Sequence, residues 1–237
     1  GWPLDTLPDA HRGAREGERE GTGPVVATDA DGFAFDYPAM LACAWGRPTD
    51  AFGSLFADFD TTRRPPRLPG PPYHFISRIA EIQGRLGHCE PGLEIVADYD
   101  IPDDAWYFDA NGAQVMPFAV LLEAALQPCG WVATAVGSTL GEADDQLFRN
   151  LDGTGTLSAE LTRTADTLRT RVRLTSVSRS GGTTIESFEV QCLLGERPVY
   201  RMETVFGFFP PAAFENQVGL PISDEHRRQL ADTGVPM

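Results

Sequence analysis

Between residues 168 and 209 the chain alternates. Leu168, Thr170, Val172 and Leu174 interleave with Arg169, Arg171 and Arg173, the period-two pattern of a strand with one buried face and one arginine face. Phe188, Val190, Cys192 and Leu194 alternate in the same way, and Met202, Thr204, Phe206 and Phe208 share one face of a third strand over residues 199–209. Ser180-Gly181-Gly182 and Gly195-Glu196-Arg197-Pro198 predict the turns between them. Upstream, residues 73–81 and 93–99 are shorter alternating runs, set apart by Gly84, Gly87 and Pro91-Gly92.

Residues 117–137, PFAVLLEAALQPCGWVATAVG, break this period. They are apolar on nearly every face, which a helix facing water is not. Glu123 and Gln127 interrupt the run, and their i, i+4 spacing puts both on one stripe. A membrane span is the first rival. Glu123, Gln127, Pro128 and Gly130 break its middle and no basic flank anchors it, so that reading fails. A helix apolar all round must instead be surrounded by protein. With five or six strands available, the economical solution is an α+β hotdog fold, an antiparallel sheet wrapped around a central buried helix. Pro128 predicts a bend or an end to that helix. A buried Glu123 must be paired, protonated or functional, because enclosure favours the neutral acid, and a neutral acid can donate a proton. The plainer alternative is a Glu hydrogen-bonded to backbone or to a neighbouring subunit.

The flanks have a different texture. Residues 1–35 read as linker, with Arg, Glu and Gly alternating over residues 10–23 and little to bury. Residues 37–45 predict a short helix with Pro38 in its first turn and Gly46 and Pro48 closing it. Phe52, Leu55, Phe56 and Phe59 then recur at helical spacing. Five prolines within residues 63–72 fix an extended strap that lies along the outside of the fold. The organisation expected is an N-terminal linker and extension with the proline strap over residues 1–72, a hotdog domain over 73–210 and a C-terminal linker over 211–237. A short helix is expected at residues 224–231.

The formal net charge is −15, from 34 acidic residues against 19 basic ones, all arginine. Phosphate backbones and anionic membrane surfaces repel such a chain, so no nucleic acid and no membrane are expected as partners. Cys43, Cys89, Cys129 and Cys192 lack C-x-x-C spacing, which argues for reduced cytoplasmic thiols and against a metal site. Without an initiator Met or a signal-peptide pattern, the sequence reads as a piece of something longer.

Three clusters carry a resemblance. Trp106-Tyr107-Phe108, Val115-Met116-Pro117 and the Glu123-to-Gln127 pair resemble the W-H-F, V-M-P-G and D-x-x-x-Q motifs of the bacterial 3-hydroxydecanoyl-ACP dehydratase family. The longer stretches 99–108, 116–131, 148–153 and 206–209 are similar to the dehydratase region of polyunsaturated fatty acid synthases and iterative polyketide synthases. The resemblance covers about residues 68–220. It implies a hotdog that removes water from a 3-hydroxyacyl chain carried as a thioester on the phosphopantetheine of an acyl carrier protein, with no other cofactor. In the family a His takes the α-proton and an acid from the paired hotdog protonates the departing hydroxyl. Backbone N–H groups at the start of the buried helix bind the thioester carbonyl, as helix N-termini favour developing negative charge.

This chain departs from that pattern at the base. Tyr107 occupies the His position, and a phenol titrating near about 10 is no base at neutral pH. Phe118 replaces the Gly of the second motif, and Glu123 replaces Asp. The resemblance therefore implies Glu123 and Gln127, with Tyr107 at the base position, as catalytic residues. Trp106, Met116 and Phe118 are implied as substrate-binding, joined by Arg149, which is either structural or meets the phosphopantetheine arm. His74 reads as a satisfied strand-edge residue, His88 as a turn residue, His11 and His226 as linker residues, and Cys129 as a small buried hydrophobe. The leading expectation is the His-less half of a dehydratase unit, inactive alone and paired with a second hotdog domain or a copy of itself. A non-catalytic acyl-binding hotdog and a hotdog acyl thioesterase are the alternatives.

Overall fold

A computed structural model describes residues 24–164, 166–216 and 223–232. His11 and the charged run 10–23 lie outside the described residues, as does part of the C-terminal linker. One six-stranded antiparallel sheet is built from β1 (Arg78–Gln83), β2 (Glu94–Asp100), β3 (Leu147–Leu157), β4 (Thr167–Ser180), β5 (Thr183–Leu194) and β6 (Arg197–Phe209), in the order β1-β2-β4-β5-β6-β3. The central β4, β5 and β6 are the three alternating runs of the sequence. Leu168, Val172, Leu174, Phe188, Cys192, Phe206 and Phe208 are sealed on the inner face. Thr170, Thr184, Glu186 and Thr204 also point inward and are fully buried.

Against that inner face packs α5 (Phe118–Ala135), the apolar helix, and the architecture is the hotdog expected. From Ala124 onward nearly every position is buried, with Cys129, Trp131, Val132 and Ala133 at 0% exposure. The helix is the one among the described residues long and apolar enough to cross a membrane, and 72% of it is buried in the fold. It does not break at Pro128 but runs on to Ala135. Proline in a helix interior costs about 3 kcal/mol. Continuous enclosure of the turns on both sides outweighs that penalty.

On the outer face of the sheet, Asp98 on β2 is 3% exposed. Its register partners are Arg78 on β1 and Arg169 on β4, and both donate to its carboxylate, at 3.1 and 2.9 Å. Arg78 also reaches Asp100 at 2.5 Å. A buried carboxylate needs such partners, and a one-residue slip of any of the three strands would remove them.

The N-terminal segment is part of this core. Thr28 and Ala34 bridge a small hairpin whose turn is held by Asp29, and Ala27 N–H and Phe35 C=O both bond the backbone of Ile79. Phe35 is 0% exposed, with its ring 5.2 Å from that of Trp131. The linker reading therefore does not hold for residues 24–35: two phenylalanines in a polar context are too short a run to show periodicity. Helix α1 (Tyr37–Trp45) follows, with Asp36 capping Ala39 N–H and Pro38 in its first turn. Then come α2 (Pro48–Phe52), a 3-10 turn over Ser54–Phe56 and α3 (Phe59–Thr62), which bury Phe52, Phe56 and Phe59.

Arginines anchor the proline strap at both ends. Arg67 donates to Ala42 and Gly46 carbonyls at the end of α1, and Arg63 to Thr139, Glu142 and Asp144 carbonyls beyond α5. One expectation of strand gives way in part: residues 73–77 are extended but precede β1. Trp106–Ala110, for which no element was predicted, forms a short helix, α4. Helix α6 (Asp224–Asp232) lies near the C-terminus.

Phe35→Ala is expected to lower the free energy of unfolding by about 3–5 kcal/mol, read by urea denaturation. A change under about 0.5 kcal/mol would return the segment to the status of linker.

Candidate active site

Gln127 is a buried amide with three hydrogen-bond partners. Residues 73–75 leave the proline strap before β1 begins, so their backbone groups have no strand to bond. Gln127, 2% exposed, supplies the partners: its Oε1 accepts from Phe75 N–H at 2.7 Å and its Nε2 donates to Tyr73 C=O at 2.9 Å. The same Nε2 donates to Glu123 Oε1 at 3.1 Å, so one amide clamps the strap and orients the carboxylate one turn earlier.

Glu123 is half-buried, not buried as the apolar run suggested. It lies in the first two turns of α5, beside partly covered Leu122 and within a turn or so of exposed Phe118 and Ala119. The sheet and N-terminal segment enclose the later turns of the helix and leave these open. Tyr73 stands beside it, its phenol held above the ordinary value by burial and then by the Glu123 charge.

Tyr107, on α4, is 1% exposed, and its hydroxyl lies 3.2 Å from that of Tyr99 on β2. Burial pushes the Tyr107 phenol up to about 12, although the Tyr99 hydroxyl bond pulls it back. Tyr99 is raised further, by burial and then by Tyr107. Both are neutral at any physiological pH, and neither is a base. Phe75 sets its ring edge against both, at 5.5 and 6.2 Å, and so joins the tyrosine pair to the Gln127 clamp.

The other predicted residues are placed as follows. Trp106 is half exposed and donates from its indole to Pro72 C=O at 3.1 Å. Met116 is buried, its N–H bonded to Leu161 C=O. Phe118 is 50% exposed and stacks edge-on against Tyr200, 5.7 Å away. No side chain caps α5; Val120 and Leu121 N–H bond Pro117 C=O, while Phe118 and Ala119 at its start are exposed. Arg149 is not gathered into this cluster: it sits on β3, bonds Phe148 C=O and lies 4.8 Å over the Phe214 ring. His74 is turned to Pro69 C=O at 2.9 Å and to the edge of Tyr37. Cys129 is sealed, its thiol bonded to Ala125 C=O and pushed well up by burial. Sequence reasoning missed Tyr73 and Tyr99. Tyr99 carried a weak signal, a phenol on an inward-facing strand position eight residues before Tyr107.

Among the described residues no three His, Cys, Asp or Glu side chains gather as metal ligands. A cavity of about 640 Å³ lies on the outer face of the sheet, lined by charged residues including Glu94, Arg171, Arg173, Glu189, Arg201 and Glu203. It is a solvated charge ladder on the face opposite α5 and has no part in this cluster.

Comparison with known proteins places these elements in a family. The FabA-like domain family matches residues 68–203. One of the subunits of the polyunsaturated fatty acid synthase of Thraustochytrium sp. is 27% identical over 202 residues, 81% of this chain and 13% of that relative, so the chain spans a small part of its length. Among solved structures, the dehydratase heterocomplex ApeI:P from Xenorhabdus doucetiae is similar at 13% identity, covering 69% of this chain and 93% of that one with a TM-score of 0.44. A hypothetical thioesterase protein with coenzyme A from Streptococcus pneumoniae is similar at 12% identity over 54% of this chain and 84% of that one, TM-score 0.37.

Gln127→Leu is expected to cost about 2–4 kcal/mol of stability, because it strands Phe75 N–H and Tyr73 C=O. Glu123→Gln, which keeps an acceptor for Gln127, should cost less than about 1 kcal/mol. Urea titrations giving the opposite order would show that Gln127 is not the clamp.

Proposed function

The chain belongs to the FabA-like domain family, and from that premise we propose that it is one hotdog of a two-hotdog dehydratase unit in a polyunsaturated fatty acid or polyketide synthase. Its substrate is a 3-hydroxyacyl chain held as a thioester on the phosphopantetheine of an acyl carrier protein. The observation that carries this reading is the division of the site: a carboxylate held at a half-open helix start, with a buried neutral phenol where a base is required. Water elimination needs both groups. A base removes the proton from C2, the C2=C3 bond forms as the C3–O bond breaks, and an acid delivers a proton so that the hydroxyl leaves as water. Glu123 is the acid, placed to deliver that proton once a partner covers the first turns of α5. The open N–H groups of α5 receive the thioester oxygen as negative charge grows there. The partner hotdog supplies the His.

The surface supports such a partner. β3 is an edge strand of eleven residues that, among the described residues, pairs with β6 alone. Leu147, Leu151 and Leu157 are exposed along it. Leu157 is the register partner of Tyr200, against which exposed Phe118 packs, so this edge runs into the start of α5. An unpaired apolar edge invites a second strand. The unit works in the cytoplasm, where Cys43, Cys89, Cys129 and Cys192 stay free thiols.

On 3-hydroxyacyl pantetheine the isolated chain is expected to run about 10²–10⁴-fold below the unit completed by a His-bearing hotdog of the same synthase. Glu123→Ala in the completed unit should abolish turnover. The readout is the enoyl thioester, or its hydration in reverse. Full activity of the isolated chain, or a silent Glu123→Ala, would sink the assignment of acid and missing base. Release of free acid instead of enoyl product would make the chain a thioesterase.

A further inference from the structure

Glu186 is the one acid on the inner face of the sheet among the described residues, between Thr184 and Phe188 in the alternation of β5, and it is 0% exposed. Its Oε1 lies against Ser138 Oγ, in the turn after α5, and 3.5 Å from Cys89 Sγ, in the loop before β2. Its Oε2 is buried with no hydrogen-bond partner. Cys89 Sγ is also 3.6 Å from Ser138 Oγ. Ser138 Oγ in turn lies 2.6 Å from the carbonyl of Ala133, in the last turn of α5.

Counting hydrogens decides the state of the carboxyl. A serine hydroxyl has one hydrogen, and a carbonyl can only accept. The contact to Ala133 therefore takes the Ser138 hydrogen, and the contact between Ser138 Oγ and Glu186 needs a hydrogen from the carboxyl. The Cys89 thiol can offer one weak hydrogen to Oε1, but it neither relieves the Ser138 contact nor reaches Oε2. An ionised Glu186 would press two oxygens together without a proton between them and leave a buried negative oxygen unsatisfied.

We propose that Glu186 is a carboxylic acid in the folded protein, and that its proton is a latch, completing a chain Glu186→Ser138→Ala133 that fastens the end of α5 to β5 and seats Cys89, so that removing it frees this junction. The loop carrying Cys89 is also tied to α5 by Gly87 N–H on Ala135 C=O, so the latch and the loop share the same helix end. Glu123 lies ten residues before Ala133 on the same helix, about 15 Å along its axis. The latch does not depend on the dehydratase reading, since its tests are of folding and protonation alone.

The electrostatics agree. Burial raises the Glu186 carboxyl from its ordinary 4.5 to about 7, against the lowering effects of Ser138, Cys89 and Arg179. The titratable or charged groups facing it are Cys89 from the loop and exposed Arg179 from β4; the turn after α5 presents Ser138, and the β6 register partner is Phe206. A carboxyl raised in the folded state stabilises the fold fully below its ordinary value, and that contribution is lost as pH rises through about 7.

The test uses the whole chain and Glu186→Gln, whose amide donates without titrating. The thermal midpoint of the wild type is expected to fall by roughly 5–10 °C between about pH 5 and pH 8, and the Gln variant to lose most of that slope. Native-state alkylation of Cys89, mapped by peptide mass, should rise more steeply with pH in the wild type than the tenfold per unit of a simple thiol, and at the simple rate in the variant. Should the variant not fold, difference infrared spectroscopy of the wild type decides alone. A protonated carboxyl band that persists at about pH 6 and vanishes by about pH 8 supports the latch. A flat midpoint, equal slopes in the two proteins, or no such band would each overturn it.

Discussion

The fold is organised by the need to enclose one helix on every side. The sheet covers one side of α5 with the inner faces of β2, β4 and β5. A six-stranded sheet cannot close around a helix unaided, and the open side at Trp131 is filled from elsewhere. Phe35 and Phe52 bring their rings to 5.2 and 5.9 Å from Trp131, and Phe52 and Phe56 stack in turn. The N-terminal segment is thus the second wall of the core. Because the enclosure is continuous, the helix tolerates Pro128, and because it stops short of the first turns, Phe118 and Glu123 remain within reach of solvent.

Polar groups in this core sit where the backbone would otherwise be orphaned. Gln127 is the example: an amide with a carbonyl and an NH₂ is the side chain that can satisfy an unpaired N–H and an unpaired C=O on the same passing segment. A carboxylate could do only half of this, and an aliphatic residue none. Orienting Glu123 is a by-product of the same geometry, since the second amide hydrogen points one turn back along the helix. Asp98 does the equivalent on the outer face, with the guanidinium forks of two strands in place of an amide. Arginine suits these tasks, and those at the ends of the strap, because its planar fork bonds several acceptors at once.

How much of this was legible follows from periodicity. β4, β5 and β6 alternate over many residues and could be placed from sequence. The helix could be placed because an apolar surface on all faces, broken by Glu123, Gln127 and Pro128, has few explanations other than enclosure by protein. Short or mixed segments could not. Phe35 has too few apolar neighbours to announce a core, and α4 occupies a stretch whose aromatics suit a strand as well as a helix. For the site, the spacing of Glu123 and Gln127 gave their adjacency, which depends only on helix geometry. The degree of burial of Glu123 did not follow, because it depends on where the sheet ends. Glu186 escaped notice because a single acid in an alternating strand looks like an outward residue until the register of Thr184 and Phe188 turns it inward.

On the proposed reading, the tyrosine pair shows how the place of a base can be filled without one. An imidazole sealed beside Phe75 would have to be kept neutral or matched by a counter-charge. Two phenols meet that constraint more simply: each hydroxyl finds the other at 3.2 Å, and burial keeps both protonated. Tyr107 is therefore part of the hydrophobic interior, and Phe75 carries that interior to the residues clamped by Gln127. What remains at the surface is Glu123, the start of α5 and the edge strand β3 with its exposed leucines. A second hotdog lying along that edge would cover Glu123 and bring its own base, so each half would keep stable a core that need hold only one of the two groups.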